Sequence, residues 1–263
     1  MNFIKMIKTI YNFINCNSQC IEYINDNFDT FYLYWFVSLI FTVLDYIGPK
    51  WYIKYKIQNN NKKITMKRIL KMVKSNLFNQ MIVTPIFLLF WYKLLELRGL
   101  DQTEPTFSTI VTHFVANFLI AEFLFYHIHI LFHKPFLFKY IHKTHHDELN
   151  SISLSSYNNH VVEHLFSGLF TMYAGHLVMG SHIKVFKYWL IGVTLVTIIF
   201  HCGVHLPLLF PNEFHDYHHL KYNQCYGVFG LFDYIYGTDK EYRKSKQYQR
   251  QKIFKLGENY PLV

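Results

Sequence analysis

Long apolar runs alternate with short polar segments along the 263 residues of this chain. About 20 helical residues, at 1.5 Å each, cross a hydrocarbon core of about 30 Å. Runs of this kind predict membrane spans at 30–48, 77–95 and 108–132, and two more, 161–178 and 185–199, predict an apolar hairpin. We therefore predict an all-α fold of polytopic membrane helices with about four to five spans.

Basic residues are concentrated in two polar segments. The chain has 26 Lys and Arg against 17 Asp and Glu, a net charge of +9, and residues 50–74 contain nine basic residues and no acidic one. Cytoplasmic loops carry an excess of Lys and Arg, so this loop is predicted to face the cytosol. Counting spans from it places the far end of span 108–132 and the basic tail on the same side. We interpret both segments as anchors on an anionic membrane surface and predict no nucleic-acid partner.

The cysteines indicate neither a disulfide framework nor a zinc ribbon, since Cys16, Cys20, Cys202 and Cys225 lack the spacing of either. Cys16 and Cys20 are predicted to be free thiols. The first residues contain no uninterrupted apolar core before a small-residue cleavage site, so we predict a short interfacial helix rather than a removable signal peptide.

Histidine is the most informative residue type, with 16 copies, most of them clustered. Residues three and four apart share one face of a helix, so each cluster points its imidazoles in one direction. The four clusters are His129/His133, His142/His145/His146, His201/His205 and His215/His218/His219. Ten convergent imidazoles suit two metal ions with about five ligands each, and imidazole binds Fe, Zn, Cu or Ni. For the more isolated His113, His127, His164, His176 and His182 we predict core or interfacial positions.

The composition around the clusters favours redox chemistry on a lipid. A structural zinc site needs four ligands and usually includes cysteine, and Asp216 is the only carboxylate between the histidines of a cluster. Iron with open positions can use O₂ to oxidise an unactivated C–H bond, and aromatic, apolar surroundings exclude water from a reactive intermediate. The chain contains no CxxCH and no GxGxxG sequence, so electrons are expected from a separate protein.

The four clusters resemble the histidine boxes of the fatty acid hydroxylase / sterol desaturase superfamily of membrane di-iron oxygenases. The run 138–146, FKYIHKTHH, is similar to that of the C4-methylsterol monooxygenases, as is Tyr55–Gln58, and segment 213–239 is most similar to a subgroup of fatty acid hydroxylase domain-containing proteins. The chain departs from the family where Ile130 replaces the usual Arg and Val161 the usual Pro. Box one is HxxxH rather than the HxxxxH of fatty acyl 2-hydroxylases, which favours a sterol.

The resemblance implies that the ten clustered histidines bind two non-haem iron ions. Asp147 and Asp216 are candidates to accept the second ring N–H of a ligand, with a solvated helix cap as the alternative for Asp147. His160 and Glu163, which match the HPxE position of the family, form a pair near the iron, near the substrate or in a purely structural role. Asn223 is expected to shape the loop after box four.

The resemblance further implies a 4-methylsterol monooxygenase of sterol biosynthesis, in the endoplasmic reticulum membrane with its metal site facing the cytosol. O₂ would be the oxidant, and electrons would come from cytochrome b5 and its NAD(P)H-dependent reductase. The predicted organisation is an interfacial segment (1–27), a transmembrane hairpin with a basic loop (28–107), a hydroxylase-like catalytic region (108–239) and a basic cytosolic tail (240–263).

The sequence is also compatible with other functions. The same ten histidines resemble those of C5-desaturases, 25-hydroxylases and fatty acyl or sphingolipid hydroxylases. Outside the enzymes, a metal transporter would place its ligands near the bilayer midplane, whereas these clusters lie at the ends of spans. An inactive regulatory membrane protein is disfavoured, because no ligand position is missing.

Overall fold

The computed structural model describes residues 16–58, 64–99, 103–147, 151–205 and 212–251, and this part of the chain is helical with one isolated bridge between Lys56 and Val204. Its helices are α1 (Ser18–Ile47), α2 (Lys50–Ile53), α3 (Met66–Arg98), α4 (Phe107–Phe132), α5 (Pro135–Leu137), α6 (Lys143–His146), α7 (Val161–Glu163), α8 (Thr171–Met179), α9 (Ile183–His201), α10 (Glu213–Lys221), α11 (Leu231–Tyr236), α12 (Lys240–Arg243) and α13 (Lys246–Arg250). Wider π turns occupy Asn79–Val83, Phe138–His142 and His164–Phe170.

Among the described residues, α1, α3, α4 and α9 are long and apolar enough to cross a membrane. Their outer faces expose large apolar side chains such as Phe36, Val43 and Val115, which suits contact with lipid. The prediction of an all-α polytopic membrane protein is confirmed. The other arm of the predicted hairpin, α7 to α8, is helical but interrupted by the π turn and is not one of these four.

Helix α1 begins earlier than predicted, at Ser18 rather than residue 30. Asn17 caps it by accepting a hydrogen bond from the Cys20 amide, the role that Asn commonly plays at a helix start. Asn27, inside the helix, is buried and accepts from the Tyr173 hydroxyl. The predicted boundary after residue 27 therefore falls within a helix, and residues 1–15 of the predicted interfacial segment lie outside the described residues.

Helix α3 also begins earlier than predicted, at Met66 rather than residue 77. Thr65 caps it, and Met72 and Asn76 are buried while Lys71 is exposed. The last nine residues of the predicted basic loop, 66–74, are therefore the amphipathic first part of this helix. Residues 59–63 of that loop, like 252–263 of the predicted tail, lie outside the described residues.

The start of α1 corrects the prediction for two cysteines, since Cys16 and Cys20 form a disulfide. Their Cα atoms are 5.4 Å apart, within the usual range for a disulfide. A spacing of four residues brings them together at the start of α1. The prediction of free thiols, made because the four cysteines lack the spacing of a disulfide framework, was therefore wrong for this pair. Cys202 and Cys225 are buried free thiols.

The helix termini fall into two sets, one at each end of the bundle. At one end lie the start of α1 and the end of α3, where Asn17 hydrogen-bonds Glu96, and Lys184 at the start of α9 pairs with Glu104. The histidine-bearing ends of α4 and α9 lie at the other end of the bundle. Between the two ends α4 packs closely on α8, because a Cβ at Gly175 would lie 2.8 Å from the Asn117 Cα. Small residues permit such close helix contacts in membranes.

Candidate metal centre

The histidine boxes converge on two adjacent groups of imidazoles. Within each group the ring nitrogens that could bind a metal lie within 4.8 Å of one another. The first group is His129, His133, His142, His146 and His218, and the second is His145, His201, His215 and His219. His133 is partly buried and the other eight are buried. Nine of the ten predicted ligands are thus brought together.

The spacing of the Nε2 atoms fits metal coordination. In the first group the His142 nitrogen lies 3.0 Å from that of His129 and 3.0 Å from that of His133. In the second group His215 lies 2.9 Å from His201 and 3.0 Å from His219. Metal–imidazole bonds of about 2.0–2.1 Å place neighbouring ligands of an octahedron about 3 Å apart. The residues therefore fit two metal ions.

Hydrogen bonds at Nδ1 orient several rings with Nε2 facing inward. The ring N–H groups of His129, His201 and His218 donate to the backbone oxygens of Tyr226, Thr197 and Gln224, over 2.6, 2.8 and 2.7 Å. A carbonyl oxygen only accepts, so the proton is on Nδ1 and the Nε2 lone pair is available for a metal.

Burial keeps these imidazoles in the neutral form that binds metal. Loss of hydration lowers the pKa of His133 to about 2. The pKa values of other ligands outside the spans are well below the usual value for the same reason, and nearby imidazoles lower them further; these are His142, His145, His215, His218 and His219. Metal ligands must be deprotonated, so the site is prepared for metal at neutral pH.

Glu163 lies at the metal centre while His160 does not. The Glu163 Oε1 atom is 2.9 Å from the Nδ1 of His142, and both side chains are almost fully buried. His160 is exposed and caps α7 through the Val162 amide. The structure therefore separates the two members of the predicted pair.

The other predicted neighbours occupy different environments. Asp147 and Asn223 are both exposed, and Asp147 pairs with Lys71 at 3.0 Å. Asp216 is buried and accepts hydrogen bonds from Gln58 and Gln247 at 2.9 and 2.8 Å. Burial raises the pKa of Asp216 to about 7. These hydrogen-bond partners of Asp216 are thus amides of the basic loop and of the tail rather than an imidazole.

His205 is the predicted ligand that lies outside both groups. Its Nδ1 atom is 2.5 Å from Glu213, which is fully buried. The Arg250 guanidinium lies 3.5 Å from the same carboxylate and donates to the backbone oxygens of Ile57 and Lys56. Sequence reasoning assigned no role to Glu213 or Arg250, since their contacts join segments far apart in the chain.

A second buried carboxylate, also missed from the sequence, holds the loop that supplies backbone acceptors to the first group. Glu122 accepts hydrogen bonds from the amides of Val228, Phe229 and Leu231. This loop includes the carbonyl of Tyr226, which binds His129. A lone Glu in the apolar span 108–132 was the available signal, because ionisable residues inside spans usually have a specific partner.

A chamber of about 90 Å³ adjoins both histidine groups. Metal-group histidines form one side of it, and the apolar part of its wall comprises Ala121, Phe125, Met172, Val193, Phe200 and Val228. Pockets for drug-sized molecules are about 300–1,000 Å³. The chamber therefore suits the reacting end of a lipid rather than a whole molecule.

Comparison with known proteins gives one family. The family profile described as fatty acid hydroxylase matches residues 114–238. Fatty acid hydroxylase domain-containing protein 2 of Homo sapiens is 38% identical over 221 residues, which cover 82% of this chain and 66% of that protein. Methylsterol monooxygenase 2-2 of Arabidopsis thaliana is 31% identical over 73% of this chain and 77% of that protein.

A third relative is Very-long-chain aldehyde decarbonylase GL1-8 of Oryza sativa subsp. indica, 31% identical over 73% of this chain and 76% of that protein. The chain thus spans 66% of the length of the human relative and about three quarters of the two plant relatives. No solved structure matches the chain.

Proposed function

Because the chain belongs to the fatty acid hydroxylase family, we propose that it is a membrane di-iron monooxygenase that oxidises a C4-methyl group of a sterol. Membership confirms the resemblance predicted from the sequence, and the family consists generally of lipid-modifying oxidoreductases. The observation that carries the proposal is the convergence of nine buried or part-buried histidines beside a largely apolar chamber.

The histidines and their partners define the roles of this chain's residues. Iron bound by the two groups would supply the oxidation of an unactivated C–H bond by O₂. Glu163 and the backbone acceptors orient the ligand rings, and the apolar wall excludes water and holds the lipid. We assign His205, held by Glu213, as a tenth ligand beside the second group.

The overall reaction requires an external electron donor. A C–H bond of the methyl group is replaced by C–OH with one oxygen atom of O₂, and the other atom leaves as water after uptake of two electrons and two protons. We propose reduced cytochrome b5 as the electron donor, itself reduced by an NAD(P)H-dependent reductase.

A sterol is favoured over a fatty acyl chain by two features. Box one has the HxxxH spacing, and FKYIHKTHH at 138–146 is similar to the methylsterol monooxygenases. One relative at 31% identity is named as a methylsterol monooxygenase. The aldehyde decarbonylases and fatty acid hydroxylases among the relatives define the competing outcomes of the test below.

We propose the endoplasmic reticulum membrane, with the metal centre facing the cytosol. Basic residues concentrate at the histidine end, which positive-inside topology assigns to the cytosol. The Cys16–Cys20 disulfide lies at the opposite end, and disulfides persist in oxidising compartments such as the lumen of this organelle.

The test is a lipid profile of cells that lack the gene. We expect 4-methylsterols to accumulate and to disappear when the wild-type gene is restored. A variant with His145→Ala and His201→Ala, which removes two ligands of the second group, should restore nothing. Accumulation of sterols lacking the C5 double bond, or altered hydroxy-acyl chains with normal sterols, would contradict the C4-methyl assignment. Metal analysis of the purified protein tests the iron separately.

A further inference from the structure

Residues 226–236 form a loop and the short helix α11, and the outer face of this segment is apolar. Asp233 is the only charged residue in it, and its side chain is fully buried. Leu231, Tyr234 and Ile235 share one face of α11 and are 37%, 66% and 61% exposed. A contiguous exposed apolar surface usually marks contact with another protein or with a membrane.

Helix α11 lies beside an exposed apolar stripe of the membrane helix α4. Val111, Val115, Leu119 and Phe123 are all exposed, and their spacing of four residues places them on one face of α4. At the end of this stripe the Phe123 ring contacts Phe232 of α11, with 5.4 Å between the ring centroids. The apolar surface of α11 therefore adjoins a surface that suits contact with lipid.

The depth of the segment follows from its contacts with α4. A helix of 26 residues is about 39 Å long, which is about 9 Å more than the thickness of the hydrocarbon core. Glu122, which binds the loop, lies ten residues before Phe132 and therefore about 15 Å from the histidine end of α4. Even if the whole excess length projected at that end, Glu122 would lie about 6 Å inside the core. Phe229 of the loop packs still deeper, on Phe118.

Two buried carboxylates supply the hydrogen bonds that a loop at this depth requires. Five backbone amides donate to them: those of Val228, Phe229 and Leu231 to Glu122, and those of Tyr226 and Gly227 to Asp233. Non-helical backbone at membrane depth is tolerated where it is buried in protein and its polar groups are satisfied there. A loop in water would not require two buried acids for this purpose, because solvent would hydrogen-bond its amides.

We propose that residues 226–236 form a re-entrant element, which enters the leaflet at the histidine end of the bundle and returns without crossing the bilayer. Helix α10 before it and α13 after it both lie beside the metal centre, since Asp216 of α10 accepts a hydrogen bond from Gln247 of α13. The segment between them therefore descends along α4 and comes back.

The partner of this surface is phospholipid. The exposed face of α11 contacts acyl chains, and tyrosine is enriched where a membrane meets water. The Arg243 guanidinium lies 4.9 Å from the centroid of the Tyr234 ring, which places a cation at the level of the headgroups, where anionic lipids attract it. The proposal holds whichever lipid the protein oxidises.

Collisions of nitroxide spin labels test this depth. The protein is placed in nanodiscs of phosphatidylcholine and phosphatidylserine with one label, at Ile235→Cys or, as a second variant on the same face, at Tyr234→Cys. Oxygen concentrates in the hydrocarbon core, whereas a water-soluble nickel chelate stays outside it. We expect both labels to collide with oxygen and to lose collisions with the chelate, as a label at Val115→Cys on α4 should.

Lys244→Cys is the matched control, because the Lys244 side chain is 72% exposed and follows α11 closely in the sequence. Its label should collide freely with the nickel chelate. Native Cys202 and Cys225 are buried, and Cys16 and Cys20 form a disulfide, so the wild-type protein carried through the same labelling gives the background. Thermal unfolding like that of the wild type shows that each labelled protein is folded.

Two results would overturn the proposal. Collisions with the nickel chelate as frequent at Ile235→Cys and Tyr234→Cys as at Lys244→Cys would place α11 in water. Shielding of both labels from oxygen and chelate alike would show that another protein, such as a second copy of this chain, covers α11. The measurement involves no turnover, so neither result bears on the proposed oxidation.

Discussion

Neighbouring histidines in the two HxxHH boxes face different metal groups. His146 belongs to the first group and His145 to the second, and box four is divided in the same way, with His218 in the first group and His219 in the second. Successive side chains on a helix of 3.6 residues per turn point about 100° apart. Each box therefore contributes to both groups, and the two groups must be adjacent.

This division predicts that single ligand changes remove one metal rather than both. His145→Ala should lower the iron content of the purified protein from about two ions per chain to about one, since His145 belongs to a group of four. The measurement is metal analysis after reconstitution with ferrous iron. His160→Ala, at an exposed helix cap, is the control and should retain both ions. Loss of both irons in His145→Ala would show that the groups bind cooperatively.

The spacing of the histidines predicted nine of the ten residues that were expected to meet, because i, i+3 and i+4 positions share a helix face, but it also included His205, which lies outside both groups. The spacing could not predict which boxes share a metal group or which residues form hydrogen bonds with the imidazole rings. Glu213 pairs with His205, eight residues earlier. Arg250, in the predicted tail, pairs with the same Glu213 carboxylate. Such contacts depend on tertiary structure and have no periodic signal in the sequence.

At the scale of elements, α13 belongs structurally to the metal centre although it lies in the predicted basic tail. Its Gln247 and Arg250 are buried. Gln247 binds Asp216 on α10, and Arg250 binds backbone oxygens of segment 55–57 and faces Glu213. The short helix thus ties the ligand-bearing α10 to the segment that follows α2.

We predict that Arg250→Gln weakens both the fold and metal retention. It leaves the buried Glu213 without its cation, and removing one partner of a buried ion pair costs about 3–5 kcal/mol. Thermal unfolding with and without a chelator, together with iron content, measures the effect. Arg243→Gln on α12 breaks a partly exposed pair with Asp239 and is the matched control, with an expected cost below about 1 kcal/mol. Equal effects of the two variants would contradict a special role for α13.

Hydrophobic runs predicted the spanning helices, but polar residues hid where α1 and α3 begin. Asn27 looked like part of an interfacial segment, yet it is partnered within the bundle by Tyr173. Asn76 looked like the end of a loop, yet it donates to the Tyr34 hydroxyl and the Leu154 carbonyl. A buried polar group is tolerated where hydrogen bonds satisfy it, and these partners are remote in sequence.

At the scale of the whole molecule, exposed residues at the two ends allow the orientation to be tested. Lys139 is exposed among the histidine boxes, and Glu104 is exposed near the start of α4. In intact endoplasmic-reticulum vesicles, a membrane-impermeant maleimide should label Lys139→Cys, whereas Glu104→Cys should react only after detergent is added. Native Cys202 and Cys225 are buried and give little background. The reverse labelling pattern would place the metal centre in the lumen.

The same orientation bears on electron delivery. Lys240, Lys244 and Lys246 are exposed, and α13 fixes this segment against the ligand-bearing helix α10. Cytochrome b5 is proposed to dock here through acidic groups, since complementary charge accelerates and orients association. Arg243 is excluded from the docking set because it is only partly exposed and pairs with the nearly buried Asp239, whereas the ion pair of Lys244 with Glu241 lies on the surface.

Reversal of these three lysines to Glu should therefore raise the KM for cytochrome b5 by about tenfold or more at low ionic strength. The difference from wild type should shrink at high salt, because screening shortens the range of charge interactions to a few ångströms. The measurement is steady-state oxidation of the lipid at varied cytochrome concentration, with iron content checked for each protein.

Lys184→Glu is a suitable control, since Lys184 is exposed at the opposite end of the bundle and forms a surface ion pair with Glu104. An unchanged KM for the triple reversal at low salt would move the docking surface elsewhere, for example to the exposed Lys139 and Lys143 beside box two.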